Sequence, residues 1–150
     1  MSNKLPSETC SLVGILDPDA YTTSAFTTGT ASVVDMKNWN SLMFIAAVGD
    51  WTTAGTFNLV VKESATSNGT FTSIAGKAIT EMGEVGTSAN HQAIINLDES
   101  EMTYRWVGVD AAITAGVEAT VMILGFKSRY KDAVITTAYG DLSTVDEIIT

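Results

Sequence analysis

A single cysteine, Cys10, excludes an internal disulfide, so the fold of this 150-residue chain neither needs nor reveals an oxidising compartment. Charge is also scarce. Asp, Glu, Lys and Arg make up 17% of the residues, against roughly 25% in an average soluble protein, which suits a subunit whose surface is partly covered by partners. Basic residues are the scarcer kind, 8 against 17 acidic ones, for a formal charge of -9 and a pI near 4.3. A surface of that sign repels phosphate backbones and the anionic face of a membrane, so neither nucleic acid nor membrane is an expected partner. No uninterrupted apolar run approaches the roughly 18 residues of a membrane span, and the opening MSNKLPSETC has no apolar leader segment. We expect a soluble protein made in the cytoplasm.

What the chain has in quantity is β-forming material. Hydrophobic residues reach 45%, enough to give one domain a core, and Thr, Ser, Ala, Gly and Val are plentiful. Residues 41–64, SLMFIAAVGDWTTAGTFNLVVKES, hold two apolar runs joined by a glycine-bounded connection of hairpin length, and read as a β-hairpin. In the first run Leu42, Phe44, Ala46 and Val48 fall on one side, with Met43, Ile45 and Ala47 on the other. Both sides are apolar, so the strand is expected to be central. In the return run Phe57, Leu59 and Val61 oppose Asn58, Val60 and Lys62, which places one side nearer solvent.

Around this pair the turn signals recur at short intervals. Residues 11–17 (SLVGILD) are apolar, broken by Gly14 and closed by the turn signature Asp17-Pro18-Asp19; they read as an edge strand or as an arm that docks on a neighbour. Asn68-Gly69 is the strongest turn signal. Short strands are expected over 70–74 and 77–80 on either side of Gly76, and over 91–97, 103–109 and 117–126, with an acidic turn at 98–101. Some seven to nine strands so spaced indicate an all-β, single-domain β-sandwich of jelly-roll type, while no stripe of 3.6-residue period argues for helices. We assign an N-terminal arm to residues 1–17, the sandwich to 18–130 and a C-terminal arm to 131–150, where single apolar residues alternate with polar ones and little remains to complete a core.

Few residues suggest chemistry. His91, the only histidine, opens a strand with no serine or cysteine motif pointing to it, and an ordinary edge position accounts for it better than catalysis. Cys10, with no basic neighbour closer than Lys4, reads as an inert thiol in the arm. Asp98, Glu99 and Glu101 lack the alternating ladder and glycine of a calcium loop, and read as a solvated turn. The glycines show no nucleotide-binding spacing. Trp39, Tyr104 and Trp106 read as core, the last two sharing one strand face. Trp51 stands at the expected hairpin tip, beyond easy reach of the core, as a partner anchor or a platform for a sugar ring. We expect no enzyme, metal or cofactor. The candidate partner-contact residues are Leu12, Val13 and Ile15 near the N-terminus, Trp51, and Tyr130, Val134, Tyr139 and Ile148 toward the C-terminus.

The succession VVDMKNWNSLMFIAAVGDW, FNLVVKESATSNGTFTSIAG, YRWVGVD and VMILGFKSRYKD, over about residues 31–131, resembles the small head-decoration (cement) proteins of tailed bacteriophages. The resemblance rests on strand order and style of sequence, and no catalytic motif takes part in it. It implies a β-sandwich or jelly-roll subunit, assembled as a homotrimer on the outer surface of a capsid and stabilising the major capsid protein shell. The acidity, the sparse charge and the core-poor ends agree with that expectation. The alternative is a carbohydrate- or receptor-binding β-sandwich of a phage tail or secreted protein, built around Trp51.

Overall fold

The computed structural model describes residues 9–21, 33–51, 56–82, 90–113 and 116–127. Eight strands follow one another: β1 (Cys10–Tyr21), β2 (Val34–Asp35), β3 (Ser41–Trp51), β4 (Phe57–Ser64), β5 (Thr72–Met82), β6 (His91–Asp98), β7 (Trp106–Ile113) and β8 (Val117–Phe126). One-turn 3-10 helices at Met36–Asn38 and Glu99–Glu101 lead into β3 and follow β6. The strands form two four-stranded sheets, ordered β1-β8-β3-β6 and β2-β7-β4-β5, and every pairing is antiparallel. First pairs with eighth, second with seventh, third with sixth and fourth with fifth, as when one long paired ribbon is rolled around a core. That is the jelly-roll order.

Period-two alternation places the core between the sheets. Leu42, Phe44, Ala46 and Val48 from β3, Phe57, Leu59 and Val61 from β4, and Val117, Ala119, Val121 and Ile123 from β8 all turn inward and are buried. The expected faces of β3 and β4 are therefore the observed ones. Polar groups fasten the ends. The buried carboxylate of Glu63 on β4 accepts hydrogen bonds from the backbone N–H groups of Thr103 and Tyr104, at 2.7 and 2.8 Å, and so holds the bend before β7. Such charge-assisted bonds contribute on the order of 1.5–3 kcal/mol each.

Several local expectations are corrected. β3 and β4 are not a hairpin: β3 lies between β8 and β6, β4 between β7 and β5, in opposite sheets. Pattern and turn chemistry reveal two strands and a short link, but a link of that length can also cross between sheets packed about 10 Å apart. The Asp17-Pro18-Asp19 signature is not a turn; it lies inside β1, where the register with β8 shifts between Leu16 and Asp19. An edge strand tolerates proline at such an irregularity because no ladder bond depends on its missing N–H. The N-terminal arm accordingly does not reach residue 17: β1 is an integral edge strand, with Val13 and Leu16 in the core. Residues 1–8 and 131–150 lie outside the described residues.

β5 runs unbroken through Gly76, whose φ of 73° lets the strand bulge, so that Val60 and Lys62 face Ala78 and Ser73 across a register shift. β7 starts later than expected, at Trp106, and continues past the expected end at Val109 to Ile113; Ala111 and Ile113 are buried. Hence Tyr104 sits exposed in the bend before the strand, outside the core, and shares no strand face with Trp106.

Carboxylates hold both 3-10 turns. Asp35 accepts from the Lys37 N–H at 3.0 Å and from Arg105 through Nε at 2.6 Å and Nη2 at 2.5 Å. Burial raises its pKa, but the Arg105 and Lys37 bonds and charges outweigh that and leave it below its ordinary value. Asp98 and Glu101 close a capping box around Glu99–Glu101, and both are lowered, chiefly by accepting the backbone N–H groups of Ser100 and Asp98 respectively. A depressed folded-state pKa stabilises the fold above the ordinary values of 3.8 (Asp) and 4.5 (Glu), and that stabilisation is lost as the pH falls below them. Thermal melts from pH 7 to pH 3 should show stability dropping in that lower range, with a shallower drop for Asp35→Asn. An unchanged profile in the variant would remove Asp35 from the account.

Candidate interaction surfaces

The two outward faces of the sandwich differ in kind. On the sheet β2-β7-β4-β5, the outward side of β4 carries Asn58, Val60 and Lys62, and Lys62 forms an ion pair with Asp110 of β7. That face carries paired charge at half-buried positions. On the sheet β1-β8-β3-β6, Ile15, Met122, Ile45 and Ile94 stand opposite one another in register, one from each strand, as a row across the full width of the sheet. Ile94, on the edge strand β6, is 58% exposed; the other three are half-buried against their neighbours. The adjacent row repeats the pattern with Leu12, Leu124 and Met43, ending in Asn96. On the other side Thr120, Ala47 and Gln92 complete the patch. Across these rows the described side chains include no ionisable group; Glu118 and Asp98 stand beyond them at opposite ends.

The cause lies in the two central strands. A strand covered on one side alternates apolar with polar, whereas a strand covered on both reads as a continuous apolar run. LMFIAAV in β3 and VMIL in β8 are of the second sort. Met and Ile on the outer side add flexible and β-branched side chains that fill an irregular contact well.

The edges of this sheet are managed separately. Lys77, from the bulged part of β5, donates through Nζ to the backbone carbonyl of Asn96 at 2.6 Å and pairs with Glu101 at 2.7 Å. It thereby ties the β5 edge of one sheet to the β6 edge of the other and occupies a carbonyl that an incoming strand would need.

Of the expected contact residues, Leu12 and Ile15 lie on the apolar face. Val13 does not. It lies at the register shift between Leu12 and Gly14 and turns into the core, as alternation from Leu12 requires, while the extra residue there returns Ile15 to the side of Leu12. Trp51 is not a hairpin tip but the last residue of β3, opposite Val117, and its side chain lies outside the described residues. Tyr130, Val134, Tyr139 and Ile148 lie outside them too. Met43, Ile45, Met122, Leu124 and Ile94 were not among the expected contacts, although the continuous apolar runs and the Ile94-Ile95 doublet are visible in the sequence.

The chemical candidates fall into structural places. Cys10 is the half-buried first residue of β1, opposite Phe126, rather than an arm thiol. His91 opens β6 opposite Val48, and its Nε2 is shielded without a hydrogen-bond partner among the described residues. Trp39 is buried, and Trp106 lies at the start of β7 with the Arg105 guanidinium 5.1 Å from its ring centroid. Among the described residues no three His, Cys, Asp or Glu side chains gather as a metal site would require, and no helix is long and apolar enough to cross a membrane.

Fold and surface together define, over the described residues, an eight-stranded jelly-roll β-sandwich with one outer face whose central strands are apolar. No family model and no curated protein matches the chain. Among solved structures, it is similar to the infectious bursal disease virus Gt strain (TM-score 0.47, 8% identity, 81% of this chain) and Gx strain (TM-score 0.46, 9% identity, 81% of this chain). It is also similar to the VP2 subviral particle of infectious bursal disease virus (TM-score 0.41, 8% identity, 78% of this chain). In each case the chain spans 32%, about a third, of the length of the structure it matches. A likeness at this level does not bear on what the chain does.

Proposed function

We propose that this chain is a non-enzymatic structural subunit of a virion, one that decorates and stabilises the outer surface of a phage capsid as a homo-oligomer, a trimer by the family resemblance. The observation that carries the reading is in the sheet β1-β8-β3-β6, whose central strands are apolar on both sides over the described residues: one side forms the core, and the other side supports contact with a neighbouring protein. The jelly roll suits the role, since capsid domains are among its recurrent uses. The negative charge also fits the outside of a shell better than the side facing DNA. An oligomer seated at several points gains avidity, so each contact with the major capsid protein can be weak while occupancy stays high.

Co-sedimentation tests this reading. Purified protein mixed with expanded capsids that lack it should pellet with them at a fixed stoichiometry, and light scattering should give the free protein a multiple of the subunit mass. A strict monomer that stays in the supernatant would contradict it. Removing residues 132–150 should leave the melt of the isolated subunit cooperative and weaken capsid binding. A loss of stability as large as that of a core substitution would show that the segment belongs to the fold.

A further inference from the structure

We infer that the outer face of β1-β8-β3-β6 is where copies of this chain pack on one another, turned toward a shared symmetry axis. The inference rests on the oligomer reading above and adds to it the surface and the occupant. Two observations select a second copy. The first is charge. Each copy carries -9, so contact between identical copies brings like charges together unless it is made where no side chain is ionised. Among the described side chains, the Ile15-Met122-Ile45-Ile94 row and the rows beside it hold no ionisable group and are such a place. A basic partner would call for carboxylates in the middle of the patch, yet the carboxylates described around it, Glu118 and Asp98, stand at its ends, where water and salt screen them.

The second is size. Four strands about 4.8 Å apart and five residues of about 3.3 Å give a footprint on the order of 300 Å². That is too little for a stable two-body interface by itself, which buries about 800 Å² per partner. It is the right size for the apolar centre of one, with polar Gln92, Asn96 and Thr120 as the start of a wetter rim. When faces converge on an axis, each copy meets more than one neighbour and the footprints join into a common core.

The experiment uses the full chain and multi-angle light scattering over a range of concentrations, with circular dichroism to follow folding. Ile94→Lys places a charge on the most exposed residue of the row, on an edge strand that has room for it. Ala112→Lys places the same charge on an exposed position of β7, in the opposite sheet. We expect wild type and Ala112→Lys to be multimeric. Ile94→Lys should run at subunit mass with a cooperative melt, its dissociation constant raised about 100-fold or more. Raising NaCl from about 0.1 to about 1 M should leave the wild-type mass unchanged, because the contact is apolar. If Ile94→Lys loses the cooperative melt, Ile94→Ser takes its place with the same expectation. Ile94 variants that keep the wild-type mass would overturn the inference while leaving the oligomer reading standing. A monomeric wild type would overturn both, and capsid co-sedimentation would then decide whether decoration survives without self-association.

Discussion

Replacing Phe44 with alanine should lower the stability of the subunit by about 3–5 kcal/mol, through lost transfer energy and the cavity left behind. Phe44 lies in the middle of β3, 0% exposed, opposite Ile95 of β6 and Ile123 of β8, so its ring has no surface to fall back to. A domain of this size is stabilised by only about 5–15 kcal/mol, so the loss is a large share of the total. Its neighbour Ile45 points the other way and is half-exposed. Ile45→Ser should cost the isolated subunit about 1 kcal/mol and act instead on association. Urea unfolding at a concentration where every form is monomeric separates the two. A Phe44→Ala midpoint close to that of the wild type would mean that the core does not lie between the sheets as described.

Gly125→Ala should cost about 2–3 kcal/mol for the opposite reason, overpacking. A Cβ at that position would stand 2.5 Å from Trp39 Cδ2, 2.7 Å from Cε3 and 2.9 Å from Cε2, on a buried indole with little freedom to move. Gly125 is required for room and not for an unusual backbone conformation. Trp39 follows the 3-10 turn that leads into β3, so this contact sets the start of β3 against the end of β8, where Ser41 faces Phe126 and Leu42 faces Gly125. If so, Trp39→Leu should relieve the strain, and the double variant should be less destabilised than the sum of the two. Additive losses would show that the two residues act independently. Tryptophan fluorescence during the unfolding titration reports the same contact.

Strand identities were legible in the sequence wherever alternation was strong. β8 occupies the expected positions and β6 ends one residue later, and the inward faces of β3, β4 and β8 follow from period two alone. Partnership between strands was not legible. Apolar pattern says which side of a strand is covered, while sheet order depends on which distant strand supplies the cover; in a jelly roll the first strand pairs with the eighth. Hence β1, far in sequence from β8, read equally well as an edge strand or an arm, and the β3–β4 link read as a hairpin. The irregularities were hidden for a related reason. Gly14, Pro18 and Gly76 look like chain breaks locally, but a ladder on the neighbouring strand carries the backbone through each of them as a register shift.

The candidate surface was half legible. The second apolar side of β3 and β8 is plain in LMFIAAV and VMIL, and it was the sign of a strand covered twice. What the sequence left open was which residues of β1 and β6 join them, because the shift at Val13 decides that Leu12 and Ile15, and not Val13, face outward. The pairing across β3 then brings Ile94 into the same row.

Electron microscopy of capsids with and without the protein tests the central claim most directly. The account predicts added density on the outside of the shell at repeated lattice positions, each a cluster of jelly rolls with the β1-β8-β3-β6 faces turned toward one another. Particles that are identical with and without the protein, or density confined to a tail, would contradict it.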